Sequence, residues 1–412
     1  MKNFTVKVLV CIACLGMSGG LFAADTIPKV NNGLNPEGAA YTLDIVEDMR
    51  LGPDKGDNFL WPGLSTTVSV DSRGHLYVTN TGDRCVMEYD QTGAFVRKIG
   101  GPGQGPGEFQ NLMAFQILAD GRGAAFEAAG QMTRHVWFDK DMNFVDRKAP
   151  APPGNIFQQA VFSPDGQRLW VMGVAPNMAT KKIVTKWMVF VPDTKTEHML
   201  VQYETDFPNP QAMGTPDGFA KMIGGFIKPI AQGNMGLAAF SEDGLTYTAV
   251  GKKYEITVWD ADMNRMFSFG RKYTPISQSQ EDIDAVIEPI VENFRGAMPP
   301  AMQSLFTTAT LGKALEIANF PPSRLPVQGL KVTDNGTIIV LHNVDLLKNI
   351  YTGDLFSKEG KYLGQFTHQL RGLTSAQSML FKDGKMYRVE VGDNDETEIV
   401  RYRYQVVPAN KI

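Results

Sequence analysis

Cysteine is scarce in this chain. Three occur in 412 residues, and Cys11 and Cys14 both fall within the first fourteen, leaving Cys85 alone thereafter. A single thiol cannot form an internal disulfide, so stability must come from packing. Histidine is equally thin: His75, His135, His198, His342 and His368 lie far apart with no HExxH pairing, whereas a zinc centre needs three or four converging ligands. Only 20% of residues are charged, the net charge is −4, and no basic block occurs, which argues against nucleic-acid binding. The glycine run GGPGQGPGEF, residues 100–109, lacks a following Lys-Ser/Thr and is therefore read as a crossing turn and not a phosphate loop. Beyond residue 22 nothing approaches the roughly 18 apolar residues that a membrane helix requires.

At the N-terminus, Lys2 and Lys7 precede an apolar run from Val8 to Phe22, followed by Ala23 and Ala24. This is the pattern of a secretory signal over residues 1–23. It predicts an exported protein, periplasmic or at the cell surface, with lipid attachment at Cys14 as the alternative to cleavage near Ala23. With 43% hydrophobic residues the chain can bury a large core.

What is abundant is glycine, 41 residues, and it recurs in one context. An apolar stretch, a tight turn and a second apolar stretch repeat around Gly74, Gly121, Gly166, Gly244, Gly336 and Gly384, as in AVFSPDGQRLWV and LKVTDNGTIIVL. Glycine supplies the positive φ such hairpin turns need, and Asp or Asn bonds the local backbone. The intervals are 47, 45, 78, 92 and 48 residues. Three match the period of a four-stranded blade and two contain insertions. The spacing predicts an all-β, six-bladed β-propeller over residues 40–407, with AYTLDIVEDMRL, residues 40–51, supplying the outer strand of the last blade.

The insertions occupy residues 204–234 and 271–327. The first, rich in Gly and Pro, is read as a structured loop with at most a short helix. In the second, Ser277 and Ser279 are candidate caps, and Ile283, Val286, Ile287, Ile290, Val291 and Phe294 form an apolar stripe. This predicts an amphipathic helix between blades 4 and 5, with its stripe on the top of the blades. A second helix is expected from about Ala301 to Ile317.

The repeat GHLYVTNTGDRCVMEYDQTGAFVRKIGGPGQGPGEF, Gly74 to Phe109, resembles an NHL-type blade. Together with FPPSRLPVQGLKVTDNGTIIVLHN it is similar to the bacterial exported six-bladed β-propeller family. That resemblance implies the fold and transfers no activity, because the shared pattern is one of turns and strands.

In such a blade the two hairpin turns share one face, and the remaining loops share the other with both insertions. Irregular loops held by a rigid scaffold are where function concentrates. Polar residues on that face make Asn80, Asp83, Arg134, Lys252 and His342 candidates for ligand binding. Related six-bladed enzymes of the gluconolactonase and paraoxonase kind hold a divalent cation at the channel mouth with oxygen ligands from several blades. By that analogy Glu127, Asn343, Asp345 and Asp393 are the metal candidates, with calcium a fitting cation. Cys85, lacking a readable base partner, is read as a packed small residue. The expectation is a monomeric exported binding or scaffolding protein that engages a protein, peptide or glycan through its insertion-bearing face. The alternative is a divalent-metal-dependent hydrolase or lactonase.

Overall fold

The computed structural model describes residues 27–52, 66–129, 132–149, 156–207, 210–369, 379–392 and 396–411. The signal segment and Asp393 lie outside them.

The chain is mostly β. Two strands, β1 (Lys29–Asn32) and β2 (Tyr41–Leu51), precede five four-strand runs and a last run of three, which β2 completes. The first run is β3 (Val68–Val70), β4 (Leu76–Asn80), β5 (Cys85–Tyr89) and β6 (Phe95–Gly100). The second is β7 (Leu112–Ile117), β8 (Gly123–Ala129), β9 (Met132–Phe138) and β10 (Phe144–Lys148). The third is β11 (Ile156–Phe162), β12 (Leu169–Asn177), β13 (Lys182–Val191) and β14 (Thr196–Asp206). Helices α1 (Pro210–Met213) and α2 (Pro216–Ala231) lead to the fourth, β15 (Gly236–Phe240), β16 (Thr246–Val250), β17 (Ile256–Trp259) and β18 (Arg265–Arg271). Helices α3 (Gln280–Ala297), α4 (Pro300–Gln303) and α5 (Thr308–Ala318) lead to the fifth, β19 (Gly329–Val332), β20 (Ile338–Asp345), β21 (Ile350–Phe356) and β22 (Tyr362–Gln369). The last is β23 (Met379–Lys382), β24 (Lys385–Val391) and β25 (Thr397–Pro408), with β2 antiparallel to β25 along its whole length.

Each run is an antiparallel meander, here called a blade. All six turn glycines have positive φ, between +68° and +87°. At four of the turns the residue that opens the bend is Asp71, Ser163, Ser241 or Thr333, and its side chain accepts a backbone N–H four or five residues on. That repeated bond explains why Asp, Ser and Thr interchange there. The second strands β4 and β20 bury nearly every side chain, because neighbouring blades cover both faces.

First strands meet in succession: β3 touches β7, β7 touches β11, β15 touches β19, β19 touches β23, and β23 touches β3. Hydrogen bonds across the turn face reinforce these junctions. Arg168, almost fully buried, donates to Gly244 O at 2.7 Å and Thr246 Oγ1 at 3.0 Å. Arg401 reaches Gln91 O at 2.8 Å, joining the last blade to the first.

Two features differ from the sequence reading. Strand β1, which the repeat pattern does not reveal, lies parallel to β18 as a fifth strand of the fourth blade. Its Asn32 side chain bonds Gly270 O, Gly360 O and Tyr362 N, so it clasps the fourth and fifth blades together. The 204–234 segment, expected to carry at most a short helix, contains the 16-residue α2. Thr215 caps it by accepting from Gly218 N, and Pro216 begins it. Its apolar positions Phe219, Ile223 and Ile227 recur at helical spacing, and its glycines permit close packing: a Cβ on Gly224 would lie 2.6 Å from Ala314 O of α5.

In the second insertion, α3 begins with a reciprocal capping box between Ser279 and Asp282. The single helix expected from Ala301 is broken into α4 and α5, because Thr307 caps a new start by accepting from Thr310 N. The apolar stripes do not lie on the blade tops. Phe219, Ile223 and Ile227 of α2, Ile287 and Val291 of α3, and Ala314 and Ala318 of α5 form a cluster of their own. Each large side chain so buried contributes about 1.5–3 kcal/mol, so the helices make a cap with a separate core.

Candidate functional site

Between this cap and the fourth and fifth blades lies a cavity of about 210 Å³. Its walls come from the end of α2 (Ile230, Ala231), the start of α3 (Ala285, Val286), the β16–β17 and β20–β21 loops (Gly251, Leu346, Leu347) and the stretch 320–328. Val286 and Leu347 are themselves exposed, at 37% and 52%, which makes an apolar rim.

Local structure fixes the polar edge. Two prolines, Pro321 and Pro322, hold the chain extended after α5. This segment pairs with residues 276–278: Arg324 N donates to Ile276 O at 2.8 Å, and Gln278 N to Pro322 O at 3.1 Å. The pairing sets Arg324 beside the first turn of α3. Its Nη1 donates to Asn343 Oδ1 at 2.6 Å and Val344 O at 3.0 Å. Its Nη2 donates to Asp282 Oδ1 at 2.7 Å and lies 3.2 Å from Asp345 Oδ2. One guanidinium therefore ties the cap to the fifth blade. Gln328 is also engaged, donating to Leu325 O and His342 O and accepting from Val344 N.

Both carboxylates are held below their usual range. For Asp345, burial pushes the pKa up, but the N–H and ammonium of Lys348 and the charge of Arg324 outweigh it. For Asp282, the Ser279 N–H is the largest cause, with the Ser279 hydroxyl and Arg324 adding to it against burial.

Of the sequence candidates, Asn343 and Asp345 meet here, on Arg324. Lys252 is near, its Nζ bonded to Asn234 Oδ1 at 2.9 Å; the two residues directly follow the lining Gly251 and Gly233 respectively. His342 is buried, its ring facing away into a closed network around Asp354, whose carboxylate accepts from Arg271 Nε at 2.6 Å and from Tyr254 and Tyr362. Burial raises the Asp354 pKa, yet His342 and Arg271 together bring it below normal.

The remaining candidates stand elsewhere. Glu127, fully buried on β8, lies 3.1 Å from Arg147 Nε and 3.7 Å from Arg134 Nη1, and accepts from Gln110 N at 3.0 Å. Asn80 and Asp83 close the β4–β5 turn, Asp83 N donating to Asn80 Oδ1, and Lys98 pairs with Asp83. Among the described residues no group of three or more His, Cys, Asp or Glu side chains is disposed to hold a metal ion. Cys85 is buried, and burial pushes its thiol up to about 11, far from nucleophilic use. Sequence reasoning missed Arg324, Asp282, Gln278 and Gln328. The available signal was FPPSRLP, an arginine behind two prolines that stiffen a loop.

Residues 57–126 match the model of a family described as a 6-bladed beta-propeller. A member of the DUF4221 family from Bacteroides vulgatus superposes with a TM-score of 0.50 at 10% identity, covering 89% of this chain and 99% of that one. The fold is a β-propeller. A Bacteroides fragilis protein proposed to be exported also resembles the propeller, with a TM-score of 0.46 at 10% identity over 93% of this chain and 100% of that one. A gluconolactonase from Xanthomonas campestris aligns with a TM-score of 0.40 at 11% identity over 89% and 98% of the two chains. No curated protein matches the propeller.

Proposed function

We propose that this is an exported binding propeller, a six-bladed ring closed by β2, which takes an apolar group of its ligand into the cavity beneath the helical cap. The observation that carries the reading is the cavity itself: about 210 Å³, walled mainly by aliphatic side chains, with an exposed apolar rim at Val286 and Leu347. Its position supports the reading too, since both insertions and two inter-strand loops contribute to it. A glycan would need free donors and acceptors facing inward, and the polar side chains of the wall are bonded to the protein. A small apolar molecule or an apolar peptide side chain fits better. Hydrolysis at a cation has less support, because Asn343 and Asp345 converge on a guanidinium and Glu127 faces arginines in another blade.

N-phenyl-1-naphthylamine, which fluoresces on leaving water, tests the reading. The expected result is saturable enhancement at one site, abolished by Ala285→Trp, which fills the cavity. No saturable enhancement, or enhancement untouched by that variant, would count against it.

A further inference from the structure

Resting on that reading, we infer that the cavity selects an uncharged aliphatic chain, such as that of a fatty alcohol, and rejects the corresponding carboxylate. An arginine at the edge of an apolar cavity invites the opposite conclusion, that it receives the carboxylate of a fatty acid. The geometry of Arg324 argues against this, because both terminal nitrogens of its guanidinium are engaged. Nη1 is taken by Asn343 Oδ1 and Val344 O, and Nη2 by Asp282, with Asp345 at 3.2 Å. Two carboxylates on one guanidinium leave no positive charge for a third, and Lys348, bound to Asp345 at 3.1 Å, only brings the group to neutrality.

The amide nitrogens of the other polar side chains of the wall are engaged too. Gln278 donates to Pro321 O and Gln328 to Leu325 O and His342 O. A charged head entering here would lose its hydration without a partner, which is strongly unfavourable. A hydrocarbon loses nothing polar. Phe320 is the one aromatic side chain among the lining residues, so stacking gives an aromatic ligand little advantage and the wall admits an aliphatic chain as readily as an aromatic ring. The volume, about 210 Å³, exceeds the roughly 150 Å³ of a dry cavity that binds benzene. A chain of several methylenes can enter with its hydroxyl at the polar edge, where leaving bulk water costs a neutral hydroxyl far less than it costs a carboxylate or an ammonium.

The test is displacement of N-phenyl-1-naphthylamine from the full propeller at pH 7.5 by 1-octanol, octanoate and octylammonium. Octanol is expected to displace at least tenfold more tightly than either charged analogue, and roughly fifteenfold more tightly than 1-hexanol, since each buried methylene gives about fourfold. In Asp282→Asn, which removes one negative charge from beside the guanidinium, octanoate should gain severalfold relative to octanol. Asp345→Asn serves the same purpose should loss of the α3 cap unfold the first variant. Octanoate matching octanol on the unaltered protein would overturn the selectivity while leaving the cavity as a binding site, and so would an unchanged ratio in the variants. Probe binding with no displacement by octanol would overturn it as well. Failure of the probe to bind at all would remove both readings.

Discussion

Arg324 on the loop entering the fifth blade lies 2.7 Å from Asp282 on the first turn of α3, so one ion pair joins the cap to the ring at the edge of the cavity. The pair is mostly shielded, with side chains 9% and 16% exposed. Replacing Arg324 by Met leaves Asp282 without a cation and Asp345 with Lys348 alone, and should cost about 2–3 kcal/mol, less than a fully buried pair because water can reach part of it. Urea denaturation measures this. A loss below about 0.5 kcal/mol would show that solvent replaces the guanidinium and that the latch contributes little.

Two adjacent glycines of α2 should respond in opposite directions. At Gly224 a Cβ would stand 2.6 Å from Ala314 O and 2.7 Å from Ile317 Cβ, whereas at Gly225 nothing lies within 4 Å. Gly224→Val should force α2 and α5 apart at a cost of about 1–3 kcal/mol. Gly225→Ala should stabilise by about 0.5–1 kcal/mol through lower chain entropy in the unfolded state. Thermal denaturation of both distinguishes them, and equal effects would contradict the cap packing.

How much of this was legible in the sequence depends on whether a signal was local. The six turn glycines were readable because a positive φ at a hairpin is a property of four residues, and each adopts it. Ser279 as a cap was readable for the same reason. The helix α2 was not, since Gly224 and Pro229 argue against a helix locally and only contact with α5 shows why a small residue sits there. Strand β1 was not, because KVNN gains its meaning from a parallel partner more than 230 residues away. The cavity required knowing that Asp282, Arg324 and Asp345, from three separate segments, converge.

His135 should make the protein acid-sensitive. It is packed between Phe126, Trp137 and Phe162, its Nε2 has no partner, and burial pushes its pKa from 6.5 down to about 3. Above pH 6.5 both folded and unfolded states are neutral there and no penalty exists. Between 6.5 and 3 the unfolded state takes up a proton that the folded state refuses, so stability falls by up to about 1.4 kcal/mol per pH unit. His135→Phe should remove this component, and stability of the two proteins, measured by urea denaturation from pH 7.5 to 4.5, should diverge as pH falls. Parallel curves would contradict it.

Removal of residues 41–51 should lower the melting temperature much more than removal of 29–32. The longer strand pairs with β25 throughout and contributes Asp48 to Arg401 and Arg50 to Glu398. The shorter one makes four pairings on an already complete blade. Loss of β2 leaves a bare edge on the last blade. Equal melting temperatures for the two truncations would refute its closing role.

The central claim, that ligand enters beneath the cap and not the channel or the turn face, is tested most directly by hydrogen exchange with and without saturating N-phenyl-1-naphthylamine. The account predicts slower exchange confined to residues 226–235, 278–288, 320–328 and 344–347. Protection appearing instead in the first three blades, or none at all with the probe bound, would contradict it.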